Sequence, residues 1–133
     1  MYQRLNLGCG LAKRKGWLNV DLYGEPDLKV NLEKIPWPFK DDSFVEIYAS
    51  HVFEHLDHWW EAFKECARIL IPNGILEMRV PHESSSAAMT MRDHHQTFTK
   101  DSFTGIYHFR AVHNTELMGD NVPLGLISRM DSV

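Results

Sequence analysis

The sequence predicts an α/β fold built on a mainly parallel sheet, and three observations carry the prediction. Short apolar stretches at residues 2–7, 18–21, 28–32, 45–49 and 75–80 read as buried strands. Between the fourth and fifth, Trp59, Trp60, Phe63, Ala67 and Leu70 recur at three- and four-residue steps, the stripe of an amphipathic helix. Gly8, Asp21, Asn31, Ser50 and Pro81 stand at or just past strand C-termini. Right-handed crossovers gather those ends along one edge of the sheet, where open α/β sheets bind ligands.

The first strand, Arg4-Leu5-Asn6-Leu7, runs straight into the turn Gly8-Cys9-Gly10. The second ends on an acid, Leu18-Asn19-Val20-Asp21. After the short third strand, Pro36-Trp37-Pro38-Phe39-Lys40-Asp41-Asp42 is excluded from regular structure, because its prolines lack donors and restrict their neighbours. The helix is expected to stop at Pro72-Asn73-Gly74, a breaker followed by a turn residue, and the fifth strand at Pro81. Residues 83–89, with three consecutive serines, read as a loop, and residues 99–107 as a short helix. Residues 109–117 and 124–130 are expected to form an antiparallel strand pair joined through Gly119-Asp120-Asn121.

A chain of 133 residues fits a single domain, 1–133, able to bury roughly two-thirds of its unfolded surface. The net charge of −4 argues against a nucleic-acid footprint, and the basic cluster Lys13-Arg14-Lys15 reads as a solvated turn. No apolar run reaches the roughly 18 residues of a membrane span. With no secretory leader in view, Cys9 and Cys66 read as reduced thiols of a cytoplasmic protein.

The first two strands hold the parts needed to bind a nucleoside. Glycine allows close backbone approach to a ligand, and a carboxylate at the next strand tip can accept protons from both ribose hydroxyls. A lone Gly-x-Gly is weak evidence, and the acid at this spacing strengthens it.

Five stretches in order resemble the class I S-adenosylmethionine-dependent methyltransferases of the type 11-like group, over roughly residues 5–103. They are Asn6-Leu7-Gly8-Cys9-Gly10, Val20-Asp21, the run from Asn31 through Pro36-Trp37-Pro38-Phe39 to Ser43-Phe44, Ser50-His51-Val52-Phe53-Glu54-His55-Leu56, and Arg68-Ile69-Leu70-Ile71-Pro72-Asn73-Gly74. The resemblance implies a Rossmann-like sheet with helices on both faces, S-adenosyl-L-methionine as cofactor, and methyl transfer to an acceptor that the residues do not identify. Proteins with these motifs stand beside sugar and cell-envelope biosynthesis. Only ten residues separate Gly10 from Asp21, so the first crossover is a very short helix or a loop. Gly16-Trp17-Leu18-Asn19-Val20-Asp21 fits the compact subset with this spacing. Val45 stands where the family has an acid, a position of local structural consequence. The resemblance starts at the first strand, so an acceptor site that is open is expected, which favours a large acceptor or a site completed by another copy or a partner chain.

By this resemblance the cofactor-binding residues are Leu7, Gly8, Cys9 and Gly10 at the methionine part, Asp21 with Leu22 at the ribose, Asn31 and Leu32 at adenine, and Ser50 with His51 beside the sulfur. An already activated methyl leaves the protein mostly to position reactants, with one general base where the acceptor carries a proton. His82, directly after the fifth strand, and His51 are the candidate catalytic residues. Glu54 and His55 are expected to cap and anchor the helix start. Two other readings compete. One is a degenerate methyltransferase fold acting as a binding module or partner subunit. The other is a zinc hydrolase, because His51-Val52-Phe53-Glu54-His55 matches H-x-x-E-H. The zinc reading leaves the glycine turn and Asp21 unexplained and needs a third ligand whose identity the sequence does not fix, so no metal site is assigned.

Overall fold

The computed structural model describes residues 3–81, 109–113 and 126–131. Seven strands form one sheet: β1 (Arg4–Leu7), β2 (Leu18–Asp21), β3 (Leu28–Lys29), β4 (Phe44–Ser50), β5 (Leu70–Pro81), β6 (Phe109–His113) and β7 (Leu126–Asp131). Their order is β3-β2-β1-β4-β5-β7-β6, and every neighbouring pair is parallel. This is the Rossmann-like parallel sheet that the motifs imply. One α-helix, α1 (Trp59–Ile69), and a 3-10 turn at Phe53–His55 complete the described elements.

The C-terminal strands differ from expectation. β6 and β7 pair parallel, with Phe109 opposite Leu126 and His113 opposite Met130, not as an antiparallel hairpin. Residues 114–125 separate them, a length that suits the crossover a parallel pair requires and far exceeds a hairpin turn. The expected loop at 83–89 and helix at 99–107 lie outside the described residues.

Register explains the core. Leu5, Ile47 and Leu76 align across β1, β4 and β5, as do Leu7, Ala49 and Met78, with Val20 of β2 beside Leu7. All seven are at most 1% exposed. Strand alternation puts them on one face, and they join Phe53, Ala62, Phe63, Cys66 and Ile69 in a single cluster. The helix stripe is turned from the one expected. Trp60 and Ala67 are exposed, whereas Ala62, Cys66 and Ile69 are buried. The helix also ends at Ile69, ahead of Pro72, with Leu70 already in extended backbone. Leu70 already belongs to β5 and pairs with Phe44, and Ile75 pairs with Glu46. The intervening Pro72-Asn73-Gly74 forms an irregularity in the strand. A Cβ on Gly74 would stand 2.9 Å from the Ile71 carbonyl oxygen.

The opposite face is polar and carries a hydrogen-bond network where a crossover helix would sit. Asn6 and Asn19 are in register, and both are at most 4% exposed. Asn6 Nδ2 donates to Asn19 Oδ1 at 2.8 Å and to the Ala12 carbonyl at 3.0 Å. Asn19 Oδ1 accepts the Arg14 N–H at 2.8 Å, and its Nδ2 donates to the carbonyls of Arg14 and Trp17. Asp27 Oδ2 accepts from both the Asn19 backbone N–H and its side chain. The β1–β2 crossover is therefore a loop whose polar backbone is satisfied by two asparagines. The basic cluster is less solvated than expected. The Arg14 guanidinium stacks 3.7 Å from the Tyr48 ring centroid and 4.7 Å from that of Trp17, and Lys13 pairs with Asp27 at 3.3 Å.

The proline-rich stretch is fastened to α1. Glu65, 7% exposed, accepts the Trp37 N–H at 2.8 Å and binds Arg68 through both oxygens, at 2.7 and 2.9 Å. Arg68 also donates to the Phe39 carbonyl and to Asp41. Trp37 is 2% exposed, and its Nε1 donates to the Leu32 carbonyl at 3.1 Å. Arg68, with help from the Trp37 N–H, holds the Glu65 carboxyl below its ordinary pKa despite burial.

Two expectations follow. Asn19→Ala strands one amide hydrogen of Asn6 and the Arg14 N–H, costing about 2–3 kcal/mol, read as a lower urea midpoint with an unchanged slope. Glu65 contributes stability that is complete above its ordinary pKa and is lost as pH falls through its lowered folded value. The gap in urea midpoint between wild type and Glu65→Gln should therefore be wide at pH 7 and shrink below the ordinary glutamate range.

Candidate functional site

A cavity of about 490 Å³ opens at the carboxyl edge of β1, β2, β3 and β4. Gly8 lines it after β1, Asp21 with Leu22 and Tyr23 at the end of β2, and residues 30–33 after β3. His51 and Val52 enter from the end of β4, and His55 and Leu56 from the 3-10 turn. The strand ends thus meet at the edge where the parallel order predicts a ligand.

Six of the ten cofactor-binding candidates line this cavity: Gly8, Asp21, Leu22, Asn31, Leu32 and His51. Leu7, Cys9, Gly10 and Ser50 are not among its lining residues. Leu7 is 1% exposed because β1 is buried on both faces, so its side chain belongs to the core. Cys9, 5% exposed, donates its N–H to the Val20 carbonyl at 3.0 Å and extends the β1–β2 ladder. Burial, with Asp21 nearby, pushes its thiol above the ordinary value and keeps it protonated. Ser50 is the last residue of β4, paired with Arg79. His82 lies outside the described residues.

Gly8 has φ of 60°, and a Cβ placed on it would stand 2.5 Å from Val52 Cγ2. The turn after β1 and the segment after β4 therefore close on each other only because residue 8 has no side chain. Gly10 also has positive φ, at 51°, with no atom within 4 Å of a built Cβ.

Asp21 organises the turn beside it. Its Oδ2 accepts the Gly10 N–H at 2.8 Å, and its Oδ1 accepts from Leu22 at 2.7 Å and Tyr23 at 3.2 Å. The ends of β1 and β2 are joined by one carboxylate. Asn31 is engaged locally, its Oδ1 accepting the Glu33 N–H at 3.0 Å. Glu33 in turn accepts the Asp57 N–H with both oxygens, at 3.2 and 3.1 Å, tying the wall after β3 to the segment after the 3-10 turn.

His51 is the strained member. Its φ is 55°, a left-handed conformation that costs a residue with a Cβ about 1–3 kcal/mol. Its N–H donates to the Arg79 carbonyl at 2.7 Å, which holds it at the tip of β4. Its Nδ1 lies 3.2 Å from Glu54 Oε2, and His55 Nε2 lies 4.0 Å from the same oxygen. The Glu54 side chain is fully buried, whereas that of His51 is 48% exposed. Glu54 and His55 do not cap α1, as they were expected to. They belong to the separate 3-10 turn, and α1 starts at Trp59 after His58, which makes no side-chain cap bond. H-x-x-E-H is thus split between a strand end and a 3-10 turn, not carried on one helical face. Among the described residues no group of three His, Cys, Asp or Glu is arranged to hold a metal ion, and no helix is long and apolar enough to cross a membrane.

Tyr23, Val30, Glu33, Val52, His55 and Leu56 line the cavity but were not singled out as binding residues. Tyr23 directly follows the acid and its neighbour, a proximity that could have flagged it. Val52 becomes legible only through its contact with Gly8.

The two glycines should respond differently to alanine. Gly8→Ala meets both the left-handed backbone and Val52, and is expected to lose about 2–4 kcal/mol. Gly10→Ala meets only the backbone term and should lose about 1–2 kcal/mol. Thermal unfolding of the two variants side by side checks the difference, and equal losses would contradict the Val52 contact.

Comparison with curated proteins and with solved structures finds no match. A family described as a methyltransferase domain matches residues 10–78, just over half of the chain. That match runs from the glycine turn through Asp21, the proline-rich stretch, the 3-10 turn and α1 into β5, and so spans most of the cavity wall. The parallel sheet, the cavity at its carboxyl edge and this match together establish that the chain belongs to the methyltransferase domain family.

Proposed function

We propose that the cavity binds S-adenosylmethionine and that the protein transfers its methyl group to an acceptor molecule. The observation that carries this reading is the single carboxylate of Asp21 joining the glycine turn to the end of β2 at the cavity wall. The volume lies within the ordinary range for small-molecule sites. The wall mixes apolar Leu22, Val30, Leu32 and Leu56 with polar Asp21, Asn31 and Glu33. A nucleoside, with a flat apolar base and a hydroxyl-bearing sugar, suits that mixture.

In this reading Asp21 has two roles. A carboxylate offers about four acceptor sites, and the backbone N–H groups of Gly10, Leu22 and Tyr23 use three. The remaining site takes one ribose hydroxyl, not both. The turn is therefore formed before the ligand arrives, which lowers the ordering cost of binding. Leu32 and Asn31 stand on the adenine side, where the Trp37 indole fixes the Leu32 carbonyl. Gly8 and His51, at the adjacent ends of β1 and β4, flank the methionine part.

When bound, S-adenosylmethionine supplies a methyl group on a positively charged sulfur, already activated for in-line displacement. The protein's own contribution is to orient the donor and to keep the reacting carbon facing the acceptor. The sugar and cell-envelope association of similar motifs points to a small-molecule acceptor class.

Isothermal titration with S-adenosylhomocysteine is the deciding experiment. Wild type should bind one equivalent, and Asp21→Ala should bind more weakly by about 1–3 kcal/mol, roughly 5- to 150-fold. A folded wild type that binds none would overturn the reading.

A further inference from the structure

We infer that His51 and Glu54 form a proton-accepting pair at the donor site, and that the methyl acceptor is therefore a group that loses a proton as it is methylated, such as a hydroxyl. The inference rests on the reading of the cavity as the S-adenosylmethionine site.

Four observations converge on His51. It lines the cavity with half of its side chain exposed. Its backbone is held in the left-handed region, and its N–H is tied to the Arg79 carbonyl at 2.7 Å. The next residue, Val52, is locked against Gly8 of the glycine turn. Its Nδ1 faces the fully buried Glu54 carboxylate at 3.2 Å. Backbone strain at a cavity wall needs a compensating reason, and aiming a ring is one.

The pairing has a chemical consequence. A carboxylate only accepts, so the proton shared with Glu54 sits on Nδ1. A neutral ring protonated there carries its lone pair on Nε2, which makes Nε2 the basic atom. Glu54 is the positioning residue, selecting the tautomer and facing the charge that forms on protonation, as a buried acid does for the histidine of a hydrolase triad. The other titratable groups of the described cavity wall are Asp21, Tyr23, Glu33 and His55, and His55 Nε2 lies 4.0 Å from Glu54 Oε2.

The proton count closes around His51. As the acceptor oxygen forms its new bond to carbon, its O–H proton passes to His51 Nε2. The electron pair of the broken carbon–sulfur bond stays on sulfur, which becomes neutral. The positive charge reappears on the imidazolium opposite Glu54, and the proton leaves to water. An acceptor without a proton to lose would have no use for this pair.

The test uses the full chain labelled with nitrogen-15 histidine, and long-range proton–nitrogen spectra that read each ring's tautomer. His51→Asn assigns the signal among the eight histidines. Wild type should show His51 protonated on Nδ1, with its Nε2 resonance shifting on saturation with S-adenosylhomocysteine. In Glu54→Gln the Nε2-protonated form should gain population, because an amide can donate to Nδ1 as well as accept from it. A wild-type ring protonated on Nε2 would overturn the proposal, as would an Nε2 resonance indifferent to a ligand that calorimetry shows to be bound. Should Glu54→Gln fail to fold, the wild-type spectra alone decide. Absence of S-adenosylhomocysteine binding would instead remove the reading of the cavity on which this inference stands.

Discussion

The hydrogen bond between Asn6 and Asn19, in register across β1 and β2, is the constraint on which the rest of the site depends. Two parallel strands must be joined by a crossover, and here only ten residues are available between Leu7 and Leu18. A helix of useful length does not fit in that span. A loop fits, but its peptide groups lie against a buried sheet face, where each unpaired donor or acceptor is costly. The two asparagines satisfy them. Arg14 is held at both its N–H and its carbonyl, so its guanidinium covers Tyr48. Among the described residues, the polar face over β1, β2 and Tyr48 of β4 is covered by side-chain amides and one stacked cation.

That loop delivers Gly8 to the cavity and the Gly10 N–H to Asp21. A carboxylate accepting from the N–H groups of Gly10, Leu22 and Tyr23 converts two chain reversals into one rigid corner. On the far wall, Glu65 and Arg68 of α1 clamp a proline-rich stretch that has no regular structure of its own. Through Trp37 that clamp reaches Leu32 at the cavity. Both walls are irregular backbone, and side chains fasten both: Asp21 on one and Glu65 with Arg68 on the other.

Between the walls, Gly8 and Val52 meet in a contact that tolerates no Cβ, and His51 adopts a conformation uncommon outside glycine. Of the two described non-glycine residues with positive φ, Asp42 lies in the turn before β4 and His51 stands at the cavity, where β1 and β4 end. Residues that gain nothing by strain are seldom found in that conformation, and Gly8 and His51 stand on either side of the proposed transfer point.

Much of this was readable from the chain itself. Period, strand length and end residues determined the parallel sheet, the position of α1 and the gathering of Gly8, Asp21, Asn31 and His51 at one edge, because these follow from local patterns and from the handedness of crossovers. The register of the helix stripe was not legible, since Trp60 and Ala67 are as apolar as the residues that are buried, and only packing against Leu5, Ile47 and Leu76 selects a face. The parallel pairing of β6 and β7 likewise depends on strand placement in the sheet, not on the composition of residues 114–125. The closure of Gly8 on Val52 was decided by tertiary structure alone. It joins the end of β1 to the segment after β4, and the distance between two such elements is set by how the sheet and α1 bury their shared core.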